Sequence, residues 1–473
     1  MTRFTRREFL EESLLAAAAA AVPATQAFAA PRRVGPNDRL RVGVVGVKGQ
    51  GLVHVNKWLG IPEVEVAAIC DIDDKYGGDA AAAVEKKTGR KPALFKDVRK
   101  LLEDKSIDAV STATPNHWHV LVSLWSVQAG KDVYVEKPLG HNVWEQRKLV
   151  EASRKHERLI QMGNYTRSLA GHRTAIEYLR AGKLGKIKLA RGLCYNRRPS
   201  IGKKPDGPVP AGVDYDVWLG PAPERPFNPN RFHYNWHWNW DYGGGEICNN
   251  GIYYLDVARW GLGKAEHPKR VLSLGGRLGY EDDGQTPNTQ IAVLDYGDVK
   301  IELEVRGLET QPHMDVTMGN VFHCEKGYLA SGIRGTAAFS PDGQVLEKFA
   351  GPGDHFRNFV DAVKSRKRET LNSEVLDGHL STTLCHLPNI AHKLGEDRPL
   401  GELRDWGGDD GAETLVRLRE HLKKNEIDPE KVVVRVGKTL EFDGKTESFP
   451  GAAAANALLR REYRKPYVVP DQV

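Results

Sequence analysis

A chain of 473 residues, 40% hydrophobic and 27% charged, is long enough for two or three domains and a substantial core, which excludes a disordered or fibrous protein. Its formal net charge of +6 gives no reason to expect nucleic acid or an anionic membrane as partner. Five scattered cysteines (Cys70, Cys194, Cys248, Cys324, Cys385) form no CxxC pair and no metal-ligand spacing. They read as mostly buried thiols, and no metal centre is expected.

The first thirty residues read as a targeting segment. A charged start is followed by an Ala-rich stretch and an Ala27-Phe28-Ala29 cleavage pattern, so cleavage is expected near Ala29 or Ala30. Thr5-Arg6-Arg7-Glu8-Phe9-Leu10 resembles the twin-arginine export signal, S/T-R-R-x-F-L. That resemblance implies the export machinery as a partner and a periplasmic destination, reached by an already folded protein. The segment's three Arg and three Glu cancel, so removal leaves the net charge at +6. Residues 31–37 read as a linker.

Residues 38–162 read as a dinucleotide-binding unit. "RLRVGVVGVKGQG" is a buried strand, Leu40–Val45, running into a glycine turn; "LVHVNKWLG" follows as a helix, and "EVEVAAICD" as a second strand ending at Asp71. The glycines let backbone approach a pyrophosphate seated at the helix N-terminus. In G-x-G-x-x-G register Gly46 and Gly51 fit, Lys48 replaces the middle glycine, and Gly49 follows it directly. Asp71 is placed to accept from a ribose 2′-hydroxyl and to repel a 2′-phosphate, favouring NAD over NADP. Two further strands, Ala109–Thr112 and Asp132–Val135, are separated by a helix, which makes a doubly wound parallel sheet. Thr114-Pro115-Asn116-His117 and Glu136-Lys137-Pro138 then lie at the carboxyl ends of strands, where such sheets bind ligands. Proline confines Lys137 to extended backbone, and a lysine desolvated beside a dinucleotide has its pKa lowered into a catalytically useful range.

The glycine turn, the "TPNHWH" loop and "EKP" after a strand resemble the Gfo/Idh/MocA family of oxidoreductases, over a stretch from about residue 38 to residue 256. The resemblance implies a Rossmann domain followed by an α+β domain with a large, open, mainly antiparallel sheet. It implies that Lys137 lies beside nicotinamide and substrate, that Glu136 supports it, and that Asn116, His119 and Asn164 lie near the cofactor. A homo-oligomer, dimer or tetramer, is expected.

From 163 to about 440 the pattern is that of the second domain. "KIKLARGLCYN", "KRVLSLGGRL", "TQIAVLDYG" and "VKIELEVRG" read as strands between turn residues. Between the first two lies an aromatic, Gly- and Pro-rich insertion, 197–242. There Trp236, Trp238 and Trp240 alternate with His237, Asn239 and Asp241, which suits either a carbohydrate or a strand packing its Trp face into the core. His117, His119, His233 and His237 are expected to line a polar pocket rather than to bind metal, and His379 and His386 to pack on one helix face. Residues 441–473 read as a helix and a basic arm that wraps its own domain or a neighbouring subunit.

The stretch "GGGEICNNGIYYLD", residues 243–256, carries two stripes at helical spacing. Cys248, Ile252 and Leu255 are apolar; Asn249, Tyr253 and Asp256 are polar. In the family the matching helix commonly carries D-x-G-x-H followed by Asp, and here Asn249 and Tyr253 stand at the Asp and His positions. The "GIY" wording resembles glucose–fructose oxidoreductase, which implies Tyr253 as the acid–base group. A nearby ammonium such as Lys137 would lower its pKa, with Asn249 orienting substrate. The catalytic set expected is Lys137, Tyr253 and Asn249. The substrate set adds Arg167, Trp238, Trp240, Asn250 and Asp256.

Export limits the reaction, because little free NAD exists outside the cytoplasm. The expected function is therefore a sugar-directed oxidoreductase with tightly bound NAD. A redox-neutral NAD-dependent glycosidase or lyase, and a non-catalytic sugar-binding protein that retains the dinucleotide, remain alternatives.

Overall fold

The computed structural model describes residues 38–473 apart from 333, 334 and 405. The export segment and linker lie outside the described residues.

Six strands, β1 (Leu40–Val45), β2 (Val64–Cys70), β3 (Ala93–Phe95), β4 (Ala109–Thr112), β5 (Asp132–Val135) and β6 (Ile160–Met162), form one parallel sheet in the order β3-β2-β1-β4-β5-β6. The chain reverses its direction of growth between β1 and β4, so a crevice opens at the carboxyl ends of these two strands. Every residue of β4 and β5 is buried, as expected for a sheet covered on both faces. Side-chain caps from Asp73, Asp97 and Asn142 start three of the flanking helices. Asp73 accepts from Lys75 N at the head of the Asp74–Thr88 helix, and Gly89 ends it at φ 70°.

The remaining strands are β7 (Ile187–Tyr195), β8 (Arg270–Gly276), β9 (Thr289–Asp295), β10 (Lys300–Arg306), β11 (Met318–Cys324), β12 (Gly327–Gly332), β13 (Gly335–Phe339), β14 (Val345–Phe349), β15 (Glu396–Pro399), β16 (Val433–Val436) and β17 (Leu440–Glu441). They make an 11-stranded sheet in the order β14-β13-β12-β11-β7-β10-β9-β8-β16-β15, with β17 added to β8. All its pairings are antiparallel except β7 with β10. Helices Ala170–Arg180, Ile252–Leu262 and Val375–Lys393 cover one face. Their apolar sides meet the sheet in a core that includes Cys248, Ile252, Leu255, Ile301, Leu303 and Phe322. The helix Gly408–Lys424 covers part of the other face through Leu415, Leu418 and Leu422.

The C-terminal arm wraps its own chain. Tyr467 joins the core of the dinucleotide sheet beside Trp118, and Arg464 donates from Nε to Gly220 O at 2.9 Å. All five cysteines are buried free thiols. His379 is tied to Glu447 at 2.7 Å and His386 to Gly140 O at 3.0 Å, so both hold packed elements together.

Candidate functional site

A cavity of about 550 Å³ lies over the carboxyl ends of β1, β2, β4 and β5. Its two ends differ in chemistry. At one end Gly46 (φ 76°) and Gly49 (φ 61°) turn the chain into the Gln50–Trp58 helix. A Cβ on Gly51 would stand 1.7 Å from Gly46 O, so the helix approaches the turn as only glycine permits. Lys48, at the middle glycine position, points its ammonium over the Tyr76 ring at 4.6 Å. Asp71 accepts from Val47 N on one oxygen (2.7 Å) and from Asp73 N on the other (3.0 Å). Burial raises its pKa, and each oxygen keeps a further lone pair for a donor in the cavity that Asp71 lines. A glycine turn at a helix N-terminus with an acceptor at the end of β2 fits the pyrophosphate and adenosine ribose of NAD.

The aromatic insertion roofs this end. Val213 bridges to Asp73 in antiparallel fashion, Asp214 N donates to Ile72 O (2.9 Å), and Gly212 O accepts from Asp74 N (3.1 Å) and Lys96 Nζ (3.3 Å). His233 meets the edge of Tyr76 at 5.4 Å between ring centres, and Trp118 Nε1 donates to Trp218 O at 3.0 Å. A segment between two strands of the second sheet is therefore strapped across the first.

Lys137 and Glu136 occupy the middle of the cavity. The Lys137 Nζ donates to Asn249 O at 2.7 Å and lies 3.4 Å from Asn249 Oδ1. Desolvation lowers its pKa, against the carboxylates of Glu136 and Glu246. Glu136 accepts from His54 Nε2 (3.0 Å), Gln50 Nε2 (3.1 Å) and Lys137 N (3.1 Å). Burial raises its pKa, but His54 and Lys137 outweigh that and bring it to about 2. His54 in turn reaches Ser111 Oγ through Nδ1 at 2.9 Å. The peptide bond between Lys137 and Pro138 is cis. Asn116 and His119, at the head of the Asn116–Gln128 helix, also line the cavity with Thr114 and Pro115. His119 is held between Pro138 O and Thr114 O at 2.6 and 2.7 Å, and burial lowers its pKa against the pull of both carbonyls.

The opposite wall is the start of the polar-striped helix. It begins with a π turn, Ile247–Gly251, before the α-helix Ile252–Leu262, a departure from the uniform helix that the spacing implies. Asn249, Asn250 and Tyr253 line the cavity. Glu246, buried one turn earlier, accepts from Asn249 Nδ2 (3.3 Å), Asn250 Nδ2 (2.5 Å) and Arg198 (3.1 Å from both Nε and a terminal nitrogen). Tyr165, Tyr234, Trp236 and His237 complete this end.

Tyr253 lines the cavity, but its expected lowered pKa is corrected: burial raises its phenol well above the ordinary value, and the Lys137 ammonium, 5.1 Å from the ring centre, does not bring it down. Several other expected residues stand elsewhere. Asp256 and Arg167 do not line the cavity. They form a buried bidentate pair at 2.8 and 2.9 Å, with Ser381 Oγ donating to Asp256 at 2.5 Å. Asn164 is buried behind the cavity, accepting from Thr166 Oγ1 at 2.9 Å. Trp238 and Trp240 also lie outside it. The Asn235–Trp238 segment is a 3-10 turn rather than a strand, so only Trp236 of the three reaches the cavity. Trp238 meets Arg198 at 5.5 Å and Trp240 meets Lys393 at 4.2 Å. Sequence reasoning missed His54, Gln50, Glu246, Tyr165 and Tyr234. Of these only Glu246 carried a local signal that could have found it, as the acid of "GGGE" at the head of the striped helix.

Comparisons with known proteins agree with this arrangement. A model described as the oxidoreductase family's NAD-binding Rossmann fold matches residues 40–164, and one described as that family's C-terminal alpha/beta domain matches residues 199–421. A glycosyl hydrolase family 109 protein of Shewanella pealeana is 28% identical over 206 residues, 39% of this chain and 44% of the relative. One from Akkermansia muciniphila is 31% identical over 137 residues, 28% of each. This chain thus aligns with less than half the length of those relatives. The WlbA dehydrogenase of Bordetella pertussis, solved with NADH and UDP-GlcNAcA, superposes with a TM-score of 0.55 at 21% identity, covering 74% of this chain and 96% of that one. The UDP-N-acetylglucosamine 3-dehydrogenase GnnA of Acidithiobacillus ferrooxidans gives 0.52 at 17% identity, with 75% and 97% covered. These likenesses show the fold. The family matches fall on the dinucleotide sheet and on the large second sheet, and with them the chain belongs to the Gfo/Idh/MocA family of oxidoreductases and carries an NAD-binding Rossmann domain.

Proposed function

We propose that this chain is an exported enzyme that oxidises a carbinol carbon of a sugar, using an NAD that it does not release. The observation that carries the reading is Lys137: a desolvated amine between a dinucleotide end and an aromatic, amide-lined end of one cavity. Bound NAD supplies the acceptor and later the donor of hydride. Lys137 Nζ takes the hydroxyl proton of one sugar as its C–H bond breaks, and gives it to the oxygen of a second, carbonyl sugar when that sugar takes the hydride back, which restores NAD. Glu136, fixed by His54 and Gln50, keeps a negative charge beside that amine. Tyr253, with its raised pKa, stays a phenol and serves as hydrogen-bond donor to the reacting oxygen. Asn249 anchors Lys137 through its carbonyl.

Retention of the cofactor rests on the strap. Opening the adenosine end breaks the Val213 bridge, the hydrogen bonds to Gly212 and the His233–Tyr76 contact. At about 1 kcal/mol per hydrogen bond, this slows escape by about two orders of magnitude. Native mass spectrometry of gently purified protein tests the reading. NAD present at one per chain supports it; a protein that arrives empty and turns over only with added NAD overturns the retained-cofactor cycle.

A second reading is favoured by the similarity to glycosyl hydrolase family 109 proteins. Oxidation of a ring carbinol acidifies the neighbouring C–H, which permits loss of the glycosidic substituent. Water then adds, and return of the hydride closes a redox-neutral hydrolysis. Release of the aglycone without accumulation of reduced cofactor distinguishes this outcome from net oxidation.

A further inference from the structure

We infer that the substrate end of the cavity is built for an uncharged, hydroxyl-rich sugar and excludes sugar nucleotides and sugar phosphates. The inference rests on the sugar-directed reading above and names its substrate class.

The hydrogen-bonding groups at this end point in a fixed direction. Glu246 carries a carboxylate that only accepts, so both amides beside it must turn their NH2 groups toward it. Asn249 and Asn250 therefore present carbonyl oxygens away from Glu246. Asn249 Oδ1 faces Lys137 at 3.4 Å, and Asn250 Oδ1 is left as an acceptor at the cavity wall. Sugar hydroxyls donate to such oxygens. A diphosphate offers only acceptors and would set oxygen against oxygen.

Among the described residues lining the cavity the only cations are Lys48, Lys96 and Lys137. Lys48 and Lys96 lie at the adenosine end, where Lys96 pairs with Asp74 at 2.9 Å. Lys137 is the proposed base. The guanidinium nearest the other end, Arg198, is held by Glu246, and Arg167 by Asp256 and Asp377. Burial brings the His237 and His233 pKa values to about 3 and about 4, so both rings are neutral near pH 7. Phosphate recognition draws on available guanidinium or ammonium groups, and this end has none to spare.

Tyr165 and Tyr234 line the cavity while 50% and 49% exposed, so two phenol rings stand at its mouth. Trp236 lies deeper, stacked on His237 at 3.6 Å between ring centres. Such faces take the C–H side of a pyranose or an aryl aglycone.

The test uses the holoenzyme as purified. Binding of neutral aryl glycosides and of UDP-N-acetylglucosamine is measured by calorimetry, and reduction of the bound cofactor by absorbance. The inference expects at least one neutral glycoside to bind 100-fold or more tightly than the UDP sugar. Equal or tighter binding of the UDP sugar overturns it and leaves the oxidoreductase reading standing. Selective binding of neutral glycosides with no change at the cofactor keeps the inference and removes the proposed reaction. Glu246→Gln is the positioning test. An amide there both donates and accepts, which frees the Asn249 and Asn250 flips. Because Glu246 also raises the Lys137 pKa, the comparison is made above the ascending limb of the pH–rate profile; there we expect KM for the neutral glycoside to rise about tenfold with kcat within threefold, and Glu246→Asp to recover part of the loss. Unchanged KM in a folded Glu246→Gln variant overturns the positioning argument.

Discussion

Replacing Lys137 with methionine separates chemistry from architecture. In the native protein the amine makes one short hydrogen bond, to Asn249 O, and sits desolvated in the cavity. A hydrogen bond from a charged group contributes about 1.5–3 kcal/mol, and burying the charge costs a comparable amount, so the net loss of stability should be under about 2 kcal/mol. Removing a positioned base, by contrast, costs about 10²–10⁴ in rate, or about 3–5.5 kcal/mol of transition-state stabilisation. The assay is turnover of the best neutral glycoside, with melting temperature and NAD content measured on the same sample. We expect kcat to fall at least a hundredfold while NAD stays bound. A Lys137→Met variant that holds NAD and works within tenfold of the native rate refutes Lys137 as the proton acceptor.

Other outcomes follow from the same geometry. Activity should rise with pH through the lowered Lys137 pKa, because only the neutral amine accepts a proton. Glu136→Gln removes a charge that raises that pKa, so the ascending limb of the pH–rate profile should move to lower pH. Tyr253→Phe should reduce kcat about tenfold to a hundredfold without moving that limb; a moved limb would make the phenol the titrating base. Glu136 is also a stability probe: its carboxyl lies at about 2 in the fold against 4.5 in the open chain. A lowered folded-state pKa stabilises above the open-chain value and loses that contribution as pH falls from about 4.5 toward 2, on the order of 3 kcal/mol, read by acid denaturation against Glu136→Gln. Arg167→Ala leaves the Asp256 carboxylate buried without its main partner and should destabilise the fold by about 3–5 kcal/mol, seen in urea titration. The double variant Lys96→Ala and His233→Ala loosens the strap and should speed NAD loss on dialysis about tenfold.

Much of the dinucleotide half was legible in the sequence because its signals are local. Buried apolar runs mark β1, β2, β4 and β5, and a glycine turn followed by an acid at the end of β2 has one common structural use. The short strand β3 (Ala93–Phe95), only three residues long and mostly exposed, carries no such run. The striped helix was legible in its apolar face, since Cys248, Ile252 and Leu255 enter the core together. Its polar face misled, because a stripe says which side a residue takes and not how far round it faces. The π turn and the helix's rotation aim Asn249 and Tyr253 at the cavity and Asp256 at Arg167. The alternating tryptophans misled for a related reason: period two holds only in a strand, and the chain there is a 3-10 turn. His54 and Glu136 are 82 residues apart, and their pairing is a product of sheet order that no local pattern records. The pKa of Tyr253 depended on whether the Lys137 ammonium meets its hydroxyl or its ring, which residue identity alone leaves open.

The most direct test of the account mixes dialysed protein, in buffer without NAD, with a neutral glycoside and follows the reduced-nicotinamide absorbance through the first turnover. A retained cofactor predicts a rise bounded by the protein concentration, and decay once a carbonyl sugar is added to take the hydride. No change until free NAD is added, or a rise that continues beyond one equivalent per chain once it is, would contradict a sugar-directed cycle on a retained cofactor.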